Sequence, residues 1–343
     1  MRAWLVGIVI LFLTVLLVSS ASPRVSVEPH TLPADPHVVV AHEEEESVCG
    51  DALLSDLAKK MEGENLDENL RVLQPYATQC SGNAEYHAIR GHALENGGDW
   101  PNAAKEMNTA IKLDPRRPNF FFRLAQILYK NGDLGGSRFI LERANRDFPE
   151  ELWAYLFLAT VNRDLGSVNE GEQVLSRAVT KWPLNPEVHI LLGNILSETN
   201  QHPRALAEFK KALDINPKLP QAYLFYGIEL DKLEQTEDAL RALTECVRLA
   251  PQMPNSHYYL GTVLLKTHET AKAVEQLQTA IDIDPQYALA YFQLGKAYRK
   301  LGDRRRAQEC TQKYGLLSAQ QKSEDVERSK RFREGLTGAE QYF

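Results

Sequence analysis

Residues 186–219 read PEVHILLGNILSETNQHPRALAEFKKALDINPKL. The apolar residues of this stretch fall in two blocks at helical spacing. His189 precedes Leu192 and Gly193 by three and four places, which puts a ring, a bulky side chain and a small one on one face of a first helix. Ala205, Phe209 and Ala212 stand four and three apart and form the facing stripe of a second helix. Pro217 closes the pair, because proline cannot continue a helix and biases its predecessor away from helical angles.

The same proline recurs on both sides. Pro115, Pro149, Pro183, Pro217, Pro251 and Pro285 follow one another at steps of 34 residues. They define units 84–117, 118–151, 152–185, 186–219, 220–253 and 254–287, and a seventh begins at Ala288 with Ala319 in place of its proline. The fourth position of each unit is a planar ring: His87, Phe121, Tyr155, His189, Tyr223, His257 and Tyr291. Turn signals separate the two blocks at Gly98-Asp99, Gly132-Asp133, Gly166 and Gly302-Asp303.

A 34-residue helix–turn–helix with ring, Leu-Gly pair, small–large–small stripe and closing proline resembles the tetratricopeptide repeat. The resemblance covers residues 84–321 as seven repeats. It implies an all-α, right-handed superhelical solenoid of about seven to eight such repeats. Unit 152–185 departs from the pattern at Asn162 and Gly171, which predicts a locally loose or bent pair. Residues 49–83 read as a degenerate N-terminal capping repeat, with Leu53, Leu54, Leu57 and Met61 on a first helix and Leu66, Leu70, Leu73 and Tyr76 on a second. At the other end, Ser318-Ala319-Gln320-Gln321 fits a capping box that opens a new helix, so that 322–343 forms a polar C-terminal capping helix and tail.

In this family, as the resemblance implies, first helices line a concave groove that accepts a protein or peptide partner, and the repeat carries no catalysis. The groove positions here are Phe122, Leu156, Ile190, Tyr258 and Phe292 at the fifth place, Trp153 at the second, and Gln126, Thr160, Asn194 and Thr262 at the ninth. Two readings stand side by side: aromatic anchors and amide groups for a partner's backbone, or rings that merely pack between adjacent first helices. The expected function is a non-catalytic interaction scaffold or assembly factor. The alternative is a regulatory subunit that delivers substrates to a separately encoded envelope enzyme, a glycosyltransferase or protease.

Residues 3–18, AWLVGIVILFLTVLLV, follow Arg2 and precede the small residues Ser19-Ser20-Ala21. Segment 1–22 therefore reads as a signal peptide or as an N-terminal membrane anchor. Either predicts an exported chain, periplasmic or secreted, with membrane contact through residues 3–18 if the segment is retained. Residues 23–48, with Pro23, Pro29, Pro33, Pro36 and the run Glu43 to Glu46, read as a disordered spacer. An oxidising compartment allows Cys49 and Cys80, at the start of one helix and the end of its antiparallel partner, to form a disulfide. Cys246 and Cys310 lie two units apart, beyond bridging distance, and are expected to stay free. A net charge of −7 argues against a nucleic-acid partner. Phosphate-binding glycine motifs, nucleophile elbows, H-E-x-x-H and C-x-x-C are all missing, so no enzyme, cofactor or metal is expected.

Overall fold

The computed structural model describes residues 49–61 and 66–336. The expected leader or anchor and the spacer, residues 1–48, lie outside the described residues, as do residues 337–343. The described residues fall into two compact bodies, one ending at Ile127 and one beginning at Leu128.

In the first body, α1 (Asp51–Lys60) and α2 (Leu66–Leu73) form the degenerate pair, followed by a 3-10 turn at Gln74–Tyr76. They pack on α3 (Ala84–Asn96), the first helix of unit 84–117, whose second helix is α4 (Trp100–Leu113). Leu54, Leu57, Met61, Leu73, Tyr86 and Ile89 build the core between them. The Tyr86 hydroxyl, too deep to reach water, donates to the Leu73 carbonyl at 2.9 Å. Cys49 and Cys80 are joined, with a sequence separation of 31. Closing a loop of that length stabilises this pair by about 2–4 kcal/mol. Asn83 ties the bridge to the array: its amide donates to the Cys49 carbonyl at 3.3 Å while its Oδ1 caps α3 at the Glu85 and Tyr86 N–H groups.

Helix α5 (Pro118–Lys130) spans the boundary between the bodies. The second body continues as α6 (Leu134–Asp147), α7 (Leu152–Asp164), α8 (Val168–Lys181), α9 (Pro186–Glu198), α10 (His202–Ile215), α11 (Pro220–Lys232), α12 (Thr236–Leu249), α13 (Pro254–Lys266), α14 (Thr270–Ile283), α15 (Ala288–Lys300) and α16 (Arg304–Leu336). From α3 to α15 every first helix has 13 residues and every second helix 14, the regularity that a proline at each 34th residue imposes. Each second helix from α8 to α14 packs against its own first helix and the next one, and α7, α9, α11, α13 and α15 also touch in succession. No hairpin covers its own stripe; the neighbours do. The Leu-Gly pair has a steric purpose. A Cβ on Gly193 would stand 2.6 Å from the Phe209 ring of α10, so only glycine permits that approach.

Two expectations are corrected. Unit 152–185 is not loose: α7 and α8 have the common lengths, and α7 is buried along ten consecutive residues, Trp153 to Asn162. Gly171 is needed there, because an added Cβ would meet the Ala159 carbonyl at 3.1 Å. Nor does a helix open at Ser318. α16 runs unbroken for 33 residues from Arg304. With Ala319 where the other units hold proline, nothing removes an N–H or disfavours helical angles at Ser318, so the second helix of the last unit simply continues.

Candidate partner-binding face

On each first helix the side facing its second helix is fixed by contacts. In α9, Gly193 faces Phe209, and His189 meets Glu208 of α10 with Nδ1 2.6 Å from Oε2. At 3.6 residues per turn, the second, sixth, ninth and thirteenth positions point to the opposite side, away from the second helix. That side is the candidate face.

The sequence-derived groove residues divide by burial. Leu156, Ile190, Thr160 and Tyr258 are buried and form the floor, and Phe122 is buried within the first body. Thr160 spends its hydroxyl on the Leu156 carbonyl at 2.9 Å, and Thr262 does the same on Tyr258 at 2.8 Å. Gln126 and Thr262 are half-buried, and Phe292 is 37% exposed with Lys296 4.6 Å above its ring. Trp153 is only 6% exposed in the free chain, and its indole N–H already donates to Glu151 at 2.8 Å. Its truncation would therefore hollow the packing of α7, so a loss of partner affinity in that variant would carry no clean meaning. Asn194 differs from all of these. It is 7% exposed, and its amide makes no hydrogen bond among the described residues.

Sequence reasoning passed over three features. The ring-position histidines are clamps between elements. His87 reaches Glu106 (2.7 Å) and the Ser81 carbonyl (2.9 Å), His189 reaches Glu208 and the Pro183 carbonyl (2.9 Å), and His257 reaches Gln276 (2.8 Å) and the Pro251 carbonyl (3.0 Å). The bond to its carboxylate holds each of His87 and His189 protonated above the ordinary histidine value, against the opposing effect of burial. Burial pushes the Glu208 carboxyl upward, but bonds from His189 and Lys211 outweigh it and leave the group below its ordinary value.

A second feature is a polar ladder at the ends of the first helices, each rung joining residues 35 apart in sequence. Tyr129 donates to Asp164 (2.6 Å), Lys232 to Ser197 (2.6 Å), Lys266 to Asp231 (2.6 Å) and Lys300 to the Leu265 carbonyl (2.8 Å). Within it lies Glu229, 1% exposed at a position where the other six units hold Ala93, Ile127, Val161, Ile195, Val263 and Ala297. Its carboxylate accepts from Ser197, from Lys232 at 2.6 Å and from His202 at 2.9 Å. The third is Glu187, at the second position of unit 186–219. Its Oε2 is shut off from solvent and bonded to nothing, and burial alone raises its carboxyl above the ordinary value. Glu229 was visible in the sequence as a charge in an apolar register. Glu187 was not, because acids are ordinary in the first turn of a helix.

No group of His, Cys, Asp and Glu capable of holding a metal occurs among the described residues, and no described helix is long and apolar enough to cross a membrane. A tetratricopeptide repeat model matches residues 90–151 and 156–220, and a TPR repeat model matches 269–302. No curated protein matches the chain. Among solved structures, a tetratricopeptide repeat protein from Parabacteroides merdae is similar at 16% identity, over 68% of this chain and 93% of that one, with a TM-score of 0.57. The APC/C hetero-tetramer Cut9-Hcn1 is similar at 19% identity, over 72% of this chain and 49% of that one, with a TM-score of 0.53. MamA from Desulfovibrio magneticus matches at 26% identity over 50% of this chain and 96% of that one, with a TM-score of 0.45. The first two likenesses show the fold: an all-α helical repeat.

Proposed function

The chain belongs to the tetratricopeptide repeat family, and from that premise we propose that it is an exported scaffold which grips a partner protein along the face of its first helices. That the repeat binds proteins is the common property of its family; the face and the compartment are our reading. One observation carries it. On the side of the first helices turned away from the second helices, Glu187, Gln221 and Thr262 are only half-buried above a buried floor that includes Leu156, Ile190 and Tyr258. An apolar floor bordered by accessible polar groups is the make-up of a protein-binding surface.

The Cys49–Cys80 bridge supports the compartment, since such bonds persist outside the reducing cytoplasm, and the apolar run 3–18 supplies the route. Alkylation mapping of protein taken from its native compartment tests this part: a free Cys49 there would contradict export. For the binding face, a photo-crosslinking residue at Gln221 is compared with one at Phe139, which is exposed on second helix α6. Partners captured from Gln221 and not from Phe139 support the reading. Capture from Phe139 alone would place the interface on the second helices instead.

A further inference from the structure

We infer that α15, where the first-helix face ends among the described residues, is a docking strip for an acidic, extended segment of the partner protein. The segment's side-chain carboxylates meet Lys296, Arg299 and Lys300, and a neighbouring apolar side chain rests on Leu289 and Phe292. The inference deepens the reading above and rests on it.

The strip differs from the first helices before it. α7 carries Asp164, α9 carries Glu187 and Glu198, and α11 carries Glu229 and Asp231. α15 has no acid along its whole length and holds three cations. At about 100° per residue, those cations, Leu289, Phe292 and Gln293 share one sector about 120° wide. The apolar part of this sector is open. At the fifth place Leu156, Ile190, Leu224 and Tyr258 are buried, whereas Phe292 is 37% exposed and Leu289 equally so. Among the described residues no further first helix follows to cover that edge.

The cations are also unspent. Lys232 is neutralised by Glu229, and Lys266 donates to both oxygens of Asp231 (2.6 and 2.7 Å). Among the described residues no carboxylate pairs with the cations of α15. Lys300 donates to the Leu265 carbonyl, Lys296 lies over the Phe292 ring, and the Arg299 guanidinium bonds to nothing. The nearest acid along the chain, Asp303, is committed to the Arg306 N–H at 2.9 Å and to its guanidinium. The C-terminal end of the helix sets only about half a negative charge against three positive ones. Water satisfies exposed cations, but it does not satisfy the two apolar side chains beside them. A segment that covers the apolar pair brings its own charges against the cations.

The spacing defines that segment. Phe292 and Arg299 are seven residues apart, about 10 Å along the helix. Three residues of an extended chain, at about 3.3 Å each, cover that distance. An apolar residue three places from a carboxylate therefore spans the strip. Residues 288–343 hold 12 Lys and Arg against 7 Asp and Glu, in a chain of net charge −7, so an acidic segment is steered to this end of the array. A nucleic acid would bring charge without an apolar side chain for Leu289 and Phe292.

The test uses the full chain and two pools of 12-residue peptides with amidated C-termini, so that only side-chain carboxylates count. Both fix one leucine; the third and fourth places after it are Glu-Glu in one pool and Gln-Gln in the other. Binding is read by fluorescence polarisation, and thermal unfolding of each variant is read alongside. The Glu pool should bind about tenfold or more tightly than the Gln pool. Lys296→Gln with Arg299→Gln should erase most of that difference at an unchanged unfolding temperature. Arg177→Gln with Lys210→Gln, which removes two exposed charges from second helices, should preserve it. Phe292→Ala should weaken both pools. Equal binding of the pools by the native chain overturns the acidic specificity and leaves the binding-face reading to the Gln221 crosslink. Binding of neither pool also overturns this inference without touching that crosslink. Tighter binding to phosphatidylglycerol vesicles than to the Glu pool, lost in the Lys296→Gln, Arg299→Gln variant, would make the strip a lipid site and overturn it too.

Discussion

At Gly132-Asp133 the turn between first and second helix is solved by its own residues. Gly132 takes φ 87°, and Asp133 Oδ1 accepts the Gly136 N–H at 2.8 Å to cap α6. At Glu234-Gln235 the same turn has the same handedness, φ 61°, on a residue with a Cβ, and Gln235 caps nothing with its side chain. The contrast is systematic. Position fifteen is left-handed in all seven units, as Gly98, Gly132, Gly166 and Gly302 in four and as Asn200, Glu234 and His268 in the three consecutive units 186–219, 220–253 and 254–287. Asp99, Asp133 and Asp303 cap their second helices, whereas Gln201, Gln235 and Glu269 do not; Ser167, after Gly166, is the exception among the glycine turns and caps nothing with its side chain. A left-handed residue with a side chain costs about 1–2 kcal/mol. Asn and His enter the left-handed region more readily than other residues with a Cβ, so it is at Glu234 that the turn takes its shape from stacking on neighbours and not from local preference. Glu187 and Asn194 of the candidate face and Glu229 of the polar ladder fall in two of these three units, so departures from local fitness and unusual polar groups share one region.

The largest effect is expected at Glu229. Glu229→Ala removes the acceptor for Ser197, Lys232 and His202, and should cost about 2–3 kcal/mol by urea denaturation. Glu229→Val, which restores the side chain found at Val161 and Val263, should lose less. If Glu229→Ala were neutral, the inner units would be held by apolar contacts alone. Next come the caps. Asp133→Ala should cost about 1 kcal/mol, and Gln235→Ala no more than a few tenths. Equal losses would mean that the two classes of turn do not differ in local capping.

The smallest effect is a pH dependence. The raised His189 stabilises the fold fully below its ordinary value of 6.5, and that contribution fades as pH rises through the folded value. The lowered Glu208 contributes fully above its ordinary value of 4.5, and is lost as pH falls through the folded value. The pair is thus strongest between pH 4.5 and 6.5. Glu208→Gln, which copies Gln276 opposite His257, should narrow the difference in melting temperature between about pH 5.5 and pH 8.5. An unchanged difference would show that this clamp does not titrate.

The repeat was legible because its signals are spaced along the chain: a proline at each 34th residue and a ring at each fourth position are one-dimensional facts. The Cys49–Cys80 pairing was legible for the same reason, since antiparallel helices bring the two ends of one hairpin together. The end of α16 was not, because a plausible capping box at Ser318 competes with the missing proline, and helix propagation is easier than nucleation. The burial of Trp153, 6% exposed, was not legible, because a tryptophan at the second place of a unit carries no periodic mark of what covers it. The unmatched state of Glu187 Oε2 depends on which donors fail to reach it in three dimensions.

The central claim is that stacking imposes the left-handed conformation at position fifteen in the turns where no glycine supplies it. It is tested most directly by exchanging glycine in opposite directions and measuring unfolding free energies. Glu234→Gly and His268→Gly should each stabilise the chain by about 1 kcal/mol, and Gly132→Ala and Gly302→Ala should each destabilise it by about as much. Loss of stability in Glu234→Gly and His268→Gly would contradict the account, because those residues would then be sitting in conformations they prefer.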